Sequence, residues 1–242
     1  MDHSLFVRHL RQLAELGGRE AYLDALSVEQ AVAAAANVRR PARAPQPAAA
    51  SARPAETSPG LRVLGDDAVT CTRCRLHEGR TTVVFGEGNP LASLVVVGEA
   101  PGQEEDRTGR PFVGRAGRLL DLMLLSIGLP RPDVYICNVL KCRPPQNRNP
   151  LPDEVEQCTT SWLFAQLDLI APRALLAVGK FAAQTLAGSD ESIGRLRGRV
   201  HVYRGTPLVV SYHPAYLLRS PNMVRVAWQD LQLLRRVLDE QH

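Results

Sequence analysis

The chain has 242 residues, of which 45% are hydrophobic and 22% charged, which suits a globular protein with one substantial core and an appendage. Lysine and arginine (29) outnumber aspartate and glutamate (25), a mild excess that permits an anionic partner without demanding one. No apolar run reaches the length of a membrane span and the N-terminus lacks a signal-peptide pattern, so a cytoplasmic location is expected; five cysteines in that reducing setting point to metal or cluster ligation rather than disulfides.

Residues 4–35 carry apolar side chains at mostly helical spacing, broken at Gly17-Gly18, which predicts two short amphipathic helices in an extension over 1–36. From 37 to 60 the composition shifts to Ala, Pro, Arg and Ser, with prolines at 41, 45, 47, 54 and 59; too little apolar surface remains to order such a stretch, and a flexible linker is expected. The main domain is then 61–242. It opens with Cys71-Thr72-Arg73-Cys74, and Cys142 and Cys158 follow much later. Four thiolates in this arrangement suit either zinc or a [4Fe–4S] cluster, and spacing alone does not choose. Cys137, inside an apolar run, reads as a small core residue. Cys158 falls on a helix opened by Pro152-Asp153, with Glu156 as its expected capping partner.

The remainder alternates strand and helix. Leu94–Val97 is apolar throughout, as a strand buried on both faces must be, and it ends in Gly98, Glu99 and a turn through Pro101-Gly102 before Glu104, Glu105 and Asp106. A helix is predicted over 116–127, strands over 134–138, 174–179 and 208–212, helices over 155–170, 181–186 and 224–238, and a short edge strand within 195–203. The alternation implies a parallel sheet with helices on both faces. Three strand ends would then present Glu99, Asn138 and His213 at one rim, where open α/β sheets keep their sites. Taken singly, each residue has a plainer use: a turn, a surface acid, a core imidazole. Neither G-x-G-x-x-G nor a P-loop lysine follows the first strand, which discounts a nucleotide-binding domain.

Gly98-Glu99-Ala100-Pro101-Gly102, Gly109-Arg110-Pro111-Phe112-Val113-Gly114, Asn138 through Pro145, and His213-Pro214-Ala215 together resemble the family 4, iron–sulfur branch of the uracil-DNA glycosylases, from about Val69 to the C-terminus. The resemblance implies an α/β/α sandwich around a central four-stranded parallel sheet, and a [4Fe–4S] cluster on Cys71, Cys74, Cys142 and Cys158. It implies repair by base excision: uracil is flipped out of single- or double-stranded DNA and its N-glycosidic bond hydrolysed, leaving an abasic site. Phe112 would stack on the base, Asn138 read its edge, Glu105 wall off a 5-methyl group, and Gly98 and Ala100 complete the pocket. His213 would face the developing oxyanion. Other branches carry a catalytic carboxylate where this chain has Ala100, so Glu99, supported by Asp106, is the candidate for water and sugar-cation stabilisation. Leu217, Leu218 and Arg219 form a candidate wedge, and Arg197, with Arg195 and Arg199, a candidate phosphate contact. Gln146-Asn147-Arg148-Asn149 lacks the histidine of a relative that bonds covalently to DNA, so ordinary turnover is expected, and no motif lysine suggests lyase chemistry. The chain is expected to act as a nucleoid-associated monomer, with its extension either docking a repair or replication protein or folding back on the core. Two rivals stand beside this reading: a glycosylase of broader specificity for deaminated bases, and a non-enzymatic iron–sulfur DNA-binding module.

Overall fold

The computed structural model describes residues 20–23, 26–27 and 59–240. The chain divides into two units, 1–54 and 55–242. In the first, β1 (Glu20–Leu23) and β2 (Leu26–Ser27) pair antiparallel. The helical expectation for the extension therefore fails at these six residues. The rest of that expectation, and the linker over 37–58, lies outside the described residues. Pro59 and Gly60 belong not to a linker but to the first helix of the main unit, α1 (Pro59–Val69), where Pro at the helix start costs no hydrogen bond.

The main unit is built on a six-stranded sheet. Its strands are β3 (Glu87–Gly88), β4 (Leu94–Gly98), β5 (Tyr135–Asn138), β6 (Ala174–Val178), β7 (Val200–Tyr203) and β8 (Thr206–Ser211), in the order β3-β5-β4-β6-β8-β7. The four central strands are parallel, as expected, while β3 and β7 add antiparallel edges. β3 escapes sequence reading because two residues cannot display a period. β7 is the anticipated edge strand, but residues 193–196 before it form a helical turn.

Every residue of β4, β5 and β6 is buried, and alternation decides which layer each one feeds. Val95, Val97, Cys137, Leu175, Ala177 and Val210 pack on one face against Trp162, Leu163, Leu167 and Ala183. Leu94, Val96, Ile136, Leu176, Val178 and Val209 pack on the other against Leu120, Leu124, Leu231 and Leu234. The helices involved are α2 (Gln103–Thr108) and α3 (Arg115–Ser126) after β4; α4 (Pro152–Cys158), which passes through a π-turn at Thr159–Leu163 into α5 (Phe164–Ile170); α6 (Lys180–Ala187) and α7 (Ile193–Leu196) after β6; and α8 (Pro214–Arg219) and α9 (Val224–Asp239) after β8. The acid that caps α4 is Glu154, whose Oε2 accepts the Leu151 N–H at 2.9 Å, rather than Glu156. Among the described residues no helix is long and apolar enough to cross a membrane.

The chain runs from β4 outward to β5 and then returns to the other side of β4, so the strand order reverses at β4. Such a reversal opens a crevice at the carboxyl ends of the strands. The last helix is pinned to the segment after α7 by a charge pair. Arg197 donates from Nε to Asp230 Oδ2 at 3.0 Å and from Nη2 to Asp230 Oδ1 at 2.7 Å, and also to the Val226 carbonyl at 2.9 Å. The Asp230 side chain is wholly buried. This corrects the phosphate-contact expectation for Arg197, whose guanidinium is turned inward and committed. Removing one partner of a buried pair leaves the other uncompensated, so Arg197→Ala is expected to cost about 3–5 kcal/mol in urea unfolding. A loss below about 1 kcal/mol would show that the pair is dispensable.

Candidate active site

At the carboxyl rim a cleft of about 460 Å³ is lined by Glu99, Ala100, Glu105, Phe112, Asn138 and His213, with Pro144 and Asn147–Asn149 on one wall and Tyr216 and Arg219 on another. The register of the sheet sets its floor. Gly98 stands opposite Asn138 in the β4–β5 pair, and a Cβ at Gly98 would run into the Asn138 Oδ1 and the Phe112 ring. Glycine here creates the room in which ring and amide meet.

Phe112 has φ +50°, left-handed backbone that a bulky residue adopts only under constraint. The constraint is visible. Arg131 donates to the carbonyls of Pro111 at 2.6 Å and Phe112 at 3.2 Å, and is itself held by Asp121 at 2.9 Å. Glu105 Oε1 accepts the backbone N–H groups of Val113 and Gly114, both at 2.9 Å. Gly117 admits the Phe112 carbonyl where any Cβ would strike it. The ring so placed lies 5.6 Å from the His213 ring, tilted by 30°. Glu105, expected as a wall of the pocket, does line the cleft, but its carboxylate also serves as the clamp on the Phe112 loop.

Asn138 ends β5 fully buried, and among the described residues its Oδ1 has no hydrogen-bond partner. A buried amide oxygen without a partner is costly, and is a natural seat for a ligand donor. His213 forms the N-cap of α8, its Nδ1 accepting the Ala215 N–H at 3.1 Å. That bond fixes the neutral tautomer with the proton on Nε2. Burial, reinforced by the nearby positive charge of Arg219, pushes its pKa down to about 4. Glu99 is shifted the other way: burial raises its carboxyl above the usual range, and Lys180 partly opposes the rise. Both groups are driven towards neutrality by the same dry surroundings.

Three further expectations are corrected by position. Asp106 is buried away from the cleft, where its Oδ1 accepts the Thr81 N–H at 2.9 Å and the Thr82 N–H at 3.4 Å; it anchors a loop instead of meeting a substrate. Leu217 is a core residue, 1% exposed, and Leu218 packs half-buried against the same layer. Tyr216 is the exposed apolar group of that helix, its ring 5.1 Å from Tyr212, so Tyr216 and Arg219 are what α8 presents to the cleft. Arg131 and Gly117 went unnoticed in the sequence because their work is done on backbone carbonyls, which leaves no motif.

Four of the five cysteines gather elsewhere. Cys71, Cys74, Cys142 and Cys158 line one small cavity with Trp162, His77, Arg80 and Lys141, and all are free thiols. Arg80 donates to Cys142 Sγ at 3.3 Å, and the Lys141 backbone N–H to Cys158 Sγ at 3.2 Å. Burial raises the thiol of Cys158 to about 12 and that of Cys142 above its ordinary value. Cys137 stands apart in β5, as expected. The Lys141 side chain is fully buried, its Nζ donating to the Asn138 carbonyl at 2.8 Å. Burial drives its ammonium towards the neutral form while the sulfurs of Cys137, Cys158 and Cys142 pull the other way. Among the described residues no three His, Cys, Asp or Glu side chains converge on a point where one metal ion would bind.

The model of the uracil DNA glycosylase superfamily matches residues 85–232, which contain every residue lining the cleft. The chain belongs to the uracil-DNA glycosylase superfamily. It is 44% identical to a Type-4 uracil-DNA glycosylase of Thermotoga maritima over 176 residues, 71% of this chain and 91% of that protein. It is 46% identical to a Type-4 uracil-DNA glycosylase of Archaeoglobus fulgidus over 163 residues, 64% of this chain and 81% of that one. A Type-5 uracil-DNA glycosylase of Pyrobaculum aerophilum is 34% identical over 203 residues, 69% of this chain and 88% of that protein. For this superfamily member, Gly98 leaves no room for a Cβ beside the Asn138 amide and the Phe112 ring. A methyl group there must displace the Phe112 ring or the Asn138 amide, and displacement of about 1 Å costs on the order of 100-fold in rate. Gly98→Ala is therefore expected to lower glycosylase kcat/KM by that order while leaving the thermal midpoint within a few degrees; a fully active Gly98→Ala protein would refute the packing described.

Proposed function

We propose that the chain is a monofunctional uracil-DNA glycosylase of base excision repair, with a [4Fe–4S] cluster as resident cofactor and uracil-containing DNA as substrate. The observation that carries the reading is the meeting, in one cleft, of a buried amide with an open acceptor and a neutral imidazole with its proton on Nε2. Uracil offers a donor at N3 and acceptors at O4 and O2. With the base flipped out of the stack and lying on the Phe112 ring, Asn138 Oδ1 accepts N3–H and its amide nitrogen donates to O4. Cytosine presents the reverse pattern along that edge and is refused.

Breaking the glycosidic bond sends its electron pair onto uracil, where negative charge collects at O2, and leaves C1′ cation-like. The His213 Nε2–H is a donor for that oxyanion and surrenders no proton in giving it. Glu99, when ionised, stabilises the sugar cation and orients the water that adds to C1′; the water's proton passes to that carboxylate or to solvent. Ala100 supplies no carboxylate, and the reading is of hydrolysis without a Schiff base. Tyr216 and Arg219 line the cleft from α8, which supports a role for them in contacting the DNA around the flipped base.

The cysteine cavity supports the cluster. Four free thiols line one space and two of them receive N–H donors that favour thiolate, a donor set that fits the cluster implied by the family resemblance. Cys71 and Cys74 just beyond α1, Cys142 after β5 and Cys158 at the end of α4 would hold such a cluster, which would tie those three segments together. The reading also carries the expectation of a nucleoid-associated cytoplasmic monomer.

The deciding assay offers single- and double-stranded oligonucleotides with uracil, or with hypoxanthine, to the intact protein and to Asn138→Ala and His213→Ala. Free uracil is expected from the intact protein. Loss of one preorganised oxyanion donor lowers turnover by about 100- to 1000-fold, and His213→Ala should fall in that range with DNA binding kept. Undiminished release in both variants would sink the pocket, and hypoxanthine released as readily as uracil would favour a broader range. The pH profile has a definite sign. As pH falls through the raised pKa of Glu99 its carboxylate is neutralised and turnover drops, whereas His213, neutral down to about pH 4, adds no inflection near the ordinary imidazole value. A step in kcat centred near pH 6.5 that disappears in His213→Ala would contradict this.

A further inference from the structure

Residues 138–142 lead from the amide that faces the base to a sulfur of the cysteine cavity, and the path is tied down along its length. The Val139 N–H donates to the Gly98 carbonyl at 2.9 Å and the Leu140 N–H to the Glu99 carbonyl at 3.0 Å. Further along, the Lys141 N–H donates to Cys158 Sγ at 3.2 Å and the Lys141 carbonyl accepts the Val84 N–H at 2.8 Å. The Lys141 side chain turns back along this path. It is 2% exposed, donates from Nζ to the Asn138 carbonyl at 2.8 Å, and holds Nζ 5.7 Å from the centre of the Phe85 ring.

An ammonium group has three N–H donors, and among the described residues this one makes a single hydrogen bond. No carboxylate among the described residues pairs with it, and one carbonyl and a ring face do not compensate a buried charge. On its other side it shares the lining of the small cavity with Cys71, Cys74, Cys142 and Cys158. An iron–sulfur core held by four thiolates is anionic, which is the counter-charge Lys141 lacks.

We infer that Lys141 is a positioning residue joining the two sites: its charge answers that of the cluster, and its ammonium holds the Asn138 carbonyl, and with it the amide, at the edge where the base is read. This rests on the cluster and uracil readings above. Loading the cavity then sharpens base recognition at Asn138 without any iron meeting substrate.

The test compares anaerobically purified wild-type protein with Lys141→Met, which keeps the bulk of the side chain and removes the charge. Lost outer partners of a metal site typically cost 10- to 100-fold in metal retention or activity. Lys141→Met is expected to release iron to a chelator at least about tenfold faster, and, at matched iron content, to lose about tenfold in kcat/KM for uracil release. Wild-type retention and turnover in the variant would overturn the inference, and a change in one readout without the other would overturn the coupling. A second measurement needs no variant: hydrogen exchange of wild-type protein with and without iron. Faster exchange over 138–142 on iron removal, with β6 and α9 unchanged, supports the link, and equal protection there overturns it. Wild-type protein that binds no iron would remove the cofactor reading and this inference together, and iron-loaded protein releasing no uracil would remove the functional reading. An iron-loaded, uracil-releasing wild type beside an unaltered variant rejects Lys141 alone.

Discussion

The pairing of Gly98 with Asn138 across two parallel strands is the constraint on which the rest of the cleft depends. Parallel strands bring equivalent ends to one rim, so a polar residue that closes one strand is delivered beside the residue that closes the next. At this rim the neighbour is glycine, and the missing Cβ leaves space for an aromatic ring to lie against a buried amide. The layers beneath are ordinary: Leu, Val and Ile on two sheet faces, closed by α3 and α9 on one side and by α5 and α6 on the other. Their task is to hold four strand ends in register.

The electrostatics of the cleft follow from the same burial. A carboxylate and an imidazole in a dry rim are both pushed towards their neutral forms, in opposite directions on the pH scale. For the imidazole this is an asset, because a neutral ring with its Nδ1 occupied by Ala215 can only donate from Nε2. For the carboxylate it is a compromise, and Lys180 at the start of α6 moderates it. The cysteine cavity obeys the same rule, since burial raises the thiols of Cys142 and Cys158, which then ionise only with help from N–H donors or metal.

Much of this was legible in the sequence, for reasons that can be stated residue by residue. Unbroken apolar runs announced β4 and β6, and the polar residue closing each run announced the rim. Cys71, Cys74, Cys142 and Cys158 were separable from Cys137 because the last is embedded in a strand pattern. What the sequence hid were interactions made through backbone. Arg131 works on two carbonyls, Glu105 on two amides and Glu154 on one, and none of these leaves a residue signature. Asp106 and Arg197 were misplaced because a charged side chain near a rim reads as solvent-facing until its buried partner is seen. Leu217 was misread for the converse reason: a leucine in a short polar-flanked helix fits either a wedge or the core, and only the fold decides.

The left-handed backbone at Phe112 sets the protein's catalytic equipment against its thermal robustness. Glycine or asparagine would occupy that conformation with less strain, which for a bulky residue is worth roughly 1–3 kcal/mol. Selection for heat resistance alone, whether by consensus design or by laboratory evolution, would favour such a replacement and discard the ring with it. Position 112 is therefore a place where a more stable protein would be a poorer tool, and any stabilising campaign on this scaffold has to leave it untouched.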